Sequence, residues 1–182
     1  MVRHDFWARF LGVRSDGGLT PSHIVLTPFS PSKPKRLPGW LPVRTIKPMD
    51  PQRFIQRQQE FLRAASRLQE AVSQQGGDIL RDATIQRFEF TFEAAWKTLQ
   101  LFLLHQGFDA TGPRQVLKQA FAFGLIQTPE EADVWLAMLE DRNLTTHTYR
   151  EALAEVIAAN IRAHYAARLV DMAGRVAALK LD

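Results

Sequence analysis

From residue 50 onward, apolar residues return at intervals of three and four, the repeat of a helix with one buried face. In "DPQRFIQRQQEFLRAASRLQEAVSQQGG" the stripe is Phe54, Phe61, Ala65, Leu68 and Val72. Asp50 stands as N-cap, Pro51 at the first helical position, and Gly76 and Gly77 as the stop. A longer helix is predicted from about Ile79 to Gln106, ended by Gly107. Its apolar face is Ile85, Phe88, Phe92, Leu99, Phe102 and Leu103, with Ala95 and Trp96 beside it.

A short helix follows in "GPRQVLKQAFAFG", from Pro113 to a stop at Gly124. In "TPEEADVWLAMLEDR", Thr128 caps, Pro129 takes the first position and Glu131 completes a capping box. Its apolar face is Val134, Trp135, Met138 and Leu139. The last helix is predicted to begin near Thr148, with Thr148 and Glu151 as a second capping box. It runs through Leu153, Val156, Ile157, Ile161, Tyr165 and Leu169. No segment alternates in the manner of a strand between hairpin signals. The expected fold is all-α: an up-and-down bundle of four main helices with one extra short helix.

Composition changes this picture mainly at the N-terminus. Seven of the ten prolines precede Met49, and residues 1–48 hold 8 Lys and Arg against 2 Asp and Glu. Residues 49–182 hold 15 against 17, so the formal charge of +4 is an average over two unlike pieces. Proline removes backbone donors and favours extended neighbours, so residues 1–48 read as a Pro-rich basic extension with little regular structure. Met49 reads as an alternative start, with the helical domain covering 49–182. Cysteine is absent, which rules out disulfides and thiolate chemistry. No apolar run is long enough to span a membrane, and the N-terminus lacks a signal-peptide pattern. The expected location is cytoplasmic. No metal-ligand spacing, nucleotide-binding loop or nucleophile elbow occurs, so no metal or cofactor is expected. Trp96 and Trp135 read as core residues, and His105 and His164 as single helix histidines.

Two stretches carry candidate chemistry. In "RFEFTFEAAWK", Glu89 and Glu93 are four apart and share a helix face, and Lys97 continues the row. That pattern suits an ordinary Glu-to-Lys pair, or a polar pocket. In "DRNLTTHTYRE", Arg142 and His147 are five apart. On an unbroken helix they would point about 140° apart. A helix that ends near Arg142 and restarts near Thr148 would let them converge, with Asn143 in the turn. Histidine can move a proton to or from a ribose 2′-hydroxyl or a leaving oxygen near neutral pH. Arginine can hold a phosphate and stabilise its transition-state charge. The alternative is a polar turn in which Arg142 pairs with Glu140 or Asp141.

Taken in order, "RDATIQRFEFTFEAAWKTLQ", "GPRQVLKQAFAFGLI" and "DRNLTTHTYRE" resemble the nucleotidyltransferase substrate-binding protein family of the HEPN superfamily, over about residues 50–175. Residues 1–48 have no counterpart in it. The resemblance implies a helical bundle similar to the helical domain of kanamycin nucleotidyltransferase. It implies a homodimer partnered by a separately encoded minimal nucleotidyltransferase, in a pair of toxin–antitoxin type. The superfamily's ribonuclease motif is an arginine, four to six residues, then a histidine, which here is Arg142 and His147 with Asn143 after the arginine. Such toxins are metal-independent ribonucleases, with RNA as substrate. The resemblance also makes Tyr149 a candidate for adenylylation by the partner, which silences related toxins. The older family name implies another role, a non-catalytic docking subunit that presents substrate to the transferase, with Glu89, Glu93 and Lys97 lining a pocket. A third reading is nucleic-acid binding through the basic extension.

Overall fold

The computed structural model describes residues 51–181. The Pro-rich basic extension, the Met49 boundary and the Asp50 cap lie outside them. Within them the chain forms α1 (Pro51–Ser73), α2 (Asp78–His105), α3 (Pro113–Phe123) and α4 (Pro129–Leu144). A 3₁₀ turn (Thr145–His147) leads to α5 (Glu151–Asn160), a π turn (Ile161–Tyr165) and α6 (Ala166–Ala177). The last three form one continuous rod. The result is the expected all-α bundle of four long helices with the short α3 added, and no strand among the described residues.

α2 is the central element and touches every other helix. Its buried face is Ile85, Phe88, Phe92, Ala95, Leu99, Phe102 and Leu103. Phe88 stacks on Tyr165 at 5.5 Å, and Phe92 packs tilted against Trp135 at 6.1 Å. α1 buries Phe54, Phe61, Ala65 and Leu68 as expected, but Ala71 takes the last core position instead of Val72. In α4, Trp135, Met138 and Leu139 are buried and Val134 is only partly so. On the rod, Val156 faces outward while Ala154 and Ile157 face the core. A polar residue also lies in the α1 core stripe. Gln58 Nε2 donates to the carbonyls of Val176 (2.7 Å) and Leu179 (3.0 Å), tying α1 to the C-terminal end of α6.

The local signals set most helix ends. Gly124 closes α3 in the left-handed conformation, φ +86°. Thr128 Oγ1 accepts from the Glu131 amide at 3.2 Å, and Glu131 Oε2 accepts from the Gln127 amide at 2.9 Å. Glu131 is itself buried and carries the main ion pair of the bundle. Arg175 of α6 donates from Nη2 to Glu131 Oε1 at 2.7 Å, and from Nη1 to the Leu125 carbonyl at 2.7 Å. Burial alone would raise the Glu131 pKa. The Arg175 guanidinium and the Gln127 amide outweigh it and hold the carboxyl below its usual range. The Trp135 indole N–H closes no hydrogen bond, although it is near enough to favour the ionised Glu131.

One expected cap does not form. Thr148 does not cap the last helix: its hydroxyl turns back to donate to the Thr145 carbonyl at 3.0 Å. α5 starts three residues later, after Arg150, without a side-chain cap. Its first turn is tied down from α2 instead. Arg81 Nη1 lies 2.7 Å from Glu155 and 3.8 Å from Glu151, and Arg81 Nε lies 3.1 Å from Asp82.

Candidate functional site

The candidate residues come from the middle of α2 and from the segment joining α4 to α5. α4 does not end at Arg142. It continues to Leu144, and the 3₁₀ turn carries the chain on to His147. The threonines here serve the C-terminal end of α4. Thr145 Oγ1 reaches the Arg142 carbonyl at 2.7 Å, and Thr146 Oγ1 donates to the Asn143 carbonyl at 3.3 Å. The Arg142 carbonyl also accepts the Thr145 amide, so the Thr145 hydroxyl hydrogen is available to Glu89, while Thr146 serves the Asn143 carbonyl. Two α steps of about 100° and three 3₁₀ steps of about 120° set Arg142 and His147 on nearly opposite sides of the local axis. The helix break thus lies two residues later than expected, after Leu144 instead of near Arg142.

Arg142 pairs across the bundle. Its Nη2 lies 3.7 Å from Glu93 Oε2 on α2. Neither sequence neighbour takes the arginine: Glu140 lies 3.9 Å from Arg114. The Asp141 carboxylate accepts from Asn160 Nδ2 at 2.9 Å and from the Tyr165 hydroxyl at 2.7 Å. Glu93 also accepts from Lys97 Nζ (2.7 Å) and from the Trp96 indole (2.9 Å). Burial would raise the Glu93 pKa, but Lys97, Trp96 and the Arg142 charge together lower it. The ordinary Glu93–Lys97 pair and the polar cluster are thus both present. Trp96 is not a core residue: it is half-buried at the rim of this cluster, with Lys97 Nζ 5.7 Å from its ring.

Glu89 joins the same surface one turn away. Its Oε1 is in short hydrogen-bond contact with Thr145 Oγ1. Glu89, Thr145 and Thr148 help line a groove of about 420 Å³ that also includes Asp82 and Gln86. Asn143 and His147 are exposed, and Tyr149 is 81% exposed. The His147 and Tyr149 rings meet edge to face at 6.0 Å. The structure therefore joins Glu93, Lys97 and Arg142, joins Glu89 to the turn, and joins His147 to Tyr149. His105 and His164 are exposed and lie on other parts of the surface. Among the described residues no group of three His, Asp or Glu side chains could hold a metal ion, and no helix is long and apolar enough to cross a membrane.

Sequence reasoning passed over the residues that hold Arg142's helix end in place. Asn160 and Tyr165 are five apart, and on a regular helix they would diverge by about 140°. The π turn Ile161–Tyr165 widens the helix there, and both side chains reach one carboxylate, Asp141. Burial and the Asp141 charge push the Tyr165 phenol well above its usual pKa, so it remains a proton donor. Tyr165→Phe removes the donor from a charged acceptor and is expected to cost about 1.5–3 kcal/mol of stability. Equilibrium urea unfolding of the variant against the parent measures this.

Residues 56–178 match the family described as nucleotidyltransferase substrate binding protein like. A curated relative, "Probable ribonuclease HepT" of Haemophilus influenzae, is 33% identical over 89 residues. That stretch covers 46% of this chain and 59% of the relative, less than two thirds of its length. A crystal structure of a Thermus thermophilus protein superimposes with a TM-score of 0.60 at 39% identity, covering 64% of this chain and 98% of that one.

Proposed function

Because this chain belongs to the nucleotidyltransferase substrate-binding protein family, of HEPN type, we propose that it is the helical partner of a minimal nucleotidyltransferase and a ribonuclease of the toxin class. The observation that carries the reading is the exposed pair His147–Tyr149, placed on a turn directly after the helix that presents Arg142. His147 moves the proton: taken from the ribose 2′-hydroxyl, it frees that oxygen to attack the adjacent phosphorus; given to the departing 5′-oxygen, it completes the cleavage. Arg142 holds the non-bridging phosphate oxygens and offsets their growing charge. On ideal helix steps Arg142 and His147 point apart within one chain, which favours a site completed by a second copy, in a homodimer.

Tyr149 is the proposed control point. A phenol this exposed is accessible to a partner that transfers a nucleotide. The attached nucleotide would bring bulk and negative charge beside His147 and exclude RNA. Co-expression with the partner transferase is expected to add one or more nucleotidyl masses to the peptide containing Tyr149, and none to Tyr149→Phe. An unmodified Tyr149 after co-expression with an active transferase removes this control.

A specific feature favours a second reading, a docking subunit without catalysis. Arg142 already faces Glu93, whose carboxylate also binds Lys97 and Trp96. A closed cluster of this kind suits a surface that fixes the orientation of a partner. On that reading the pure protein cuts no RNA, yet binds the transferase and alters its choice of substrate.

A further inference from the structure

A second depression lies beside the groove at the Thr145 turn. It is about 340 Å³ and is lined by Ala64 and Arg67 of α1 and by Ala83, Gln86, Arg87, Phe90 and Thr91 of α2. Its floor is a close approach of the two helices, where the Thr91 hydroxyl lies 3.2 Å from the Ala64 carbonyl. Small residues there leave a notch, and larger side chains rise around it. Three features of this notch go unused by the fold. Phe90 is 64% exposed, on a helix whose other phenylalanines are buried. Arg67 and Arg87 have no carboxylate within ion-pair distance among the described residues, as is also true of Arg53, Arg63, Arg150 and Arg162, but here the two flank one depression with an exposed aromatic ring. Ala83 and Gln86 line both depressions, so the two adjoin.

An exposed aromatic face between two free guanidiniums is the chemistry that binds single-stranded nucleic acid: bases stack on the ring and phosphates pair with the arginines. We propose that this notch is a subsite for single-stranded RNA, with a base stacked on Phe90 and backbone phosphates on Arg67 and Arg87. It leads the strand along α2 to the turn that carries His147. From Ile79 to Phe90 the helix rises about 16 Å, room for a few nucleotides. Two carboxylates line this path, and the one Arg81 guanidinium is shared among Asp78, Asp82, Glu151 and Glu155, so the phosphates are held at the Arg67–Arg87 end. Asp82 lies 3.1 Å from Arg81, and Glu89 is bound to Thr145. The assignment rests on the ribonuclease reading above and adds where the substrate lies upstream of the chemistry.

The test uses the full chain carrying His147→Ala, so that the probe is not cut. The probe is a fluorescein-labelled single-stranded RNA of mixed sequence, titrated at several salt concentrations. Phe90→Ala is expected to weaken binding about tenfold or more. Arg67→Gln combined with Arg87→Gln is expected to weaken it and make the salt slope shallower by about 1.4, the value for two phosphate contacts on a single strand. Unchanged affinity and slope in these variants overturn the subsite and assign RNA binding elsewhere, the basic N-terminal extension included. Unchanged affinity together with conversion of a dimer to a monomer by Phe90→Ala also overturns it, and makes the notch an interface between copies. The same substitutions in the His147 chain separate the two claims. Cleavage with an unaltered KM sinks the subsite and leaves the ribonuclease standing. RNA binding that is lost in the variants, from a chain that never cuts RNA, supports the subsite and removes the ribonuclease.

Discussion

His147→Ala is expected to abolish RNA cleavage while leaving the bundle intact. General acid–base catalysis by a positioned side chain contributes roughly 10²–10⁴-fold, so kcat should fall by that factor. Stability should barely move, because His147 is exposed and among the described residues its ring meets only that of Tyr149. Thermal unfolding by circular dichroism and cleavage of a labelled RNA, measured on the same preparation, separate the two effects. Parent and variant cutting at equal rates would eliminate His147 as the proton carrier. Parent and variant both inert, with transferase binding retained, would favour the docking subunit. Arg142→Ala is a weaker instrument. It removes the proposed phosphate ligand but also takes a cation from beside Glu93, so its loss of activity has two causes.

How much of this could be read from the chain depended on the range of the interaction. Ends set by neighbouring residues were legible: Pro113 and Gly124 bound the short helix, and Thr128 with Glu131 forms the box that opens α4. Thr148 and Glu151 have the same spacing, yet the Thr148 hydroxyl serves the preceding helix. The motif is identical, and what decides is which helix end has unsatisfied groups within reach. The π turn left a trace that periodicity alone did not expose. Ile157, Ile161, Tyr165 and Leu169 are spaced by four throughout, and over three such steps a regular helix would drift about 120° off its face. The wider turn at Ile161–Tyr165 reduces that drift and keeps all four buried. The partner of Arg142 was not legible, because Glu93 lies on another helix and only the packing of α4 against α2 brings the two together. Equally, spacing showed that Glu89 and Glu93 share a face but not that each would meet the α4 end at a different residue.

Arg175→Met is expected to have the largest effect on stability, about 3–5 kcal/mol, because it leaves the buried Glu131 without a countercharge, held by the Gln127 and capping hydrogen bonds. The pH dependence gives the sharper test. In the parent, Glu131 has a folded pKa below its unfolded value. Its contribution is therefore full above the unfolded carboxylate pKa, and is lost as pH falls through the depressed folded one. Without the guanidinium, burial is left to dominate, and the folded pKa should rise above the unfolded value. The neutral acid then suits the fold better than the carboxylate does. The deficit of Arg175→Met relative to the parent should accordingly shrink as the solution is acidified from neutrality through the mild acid range. Adding Glu131→Gln to Arg175→Met removes the buried charge, keeps a side chain of similar size, and should recover much of the loss at neutral pH. Chemical unfolding of the parent and the two variants across pH reads both effects. A deficit that is constant with pH, and not relieved by Glu131→Gln, would mean that Arg175 acts through its bond to the Leu125 carbonyl and its packing, with its charge contributing little.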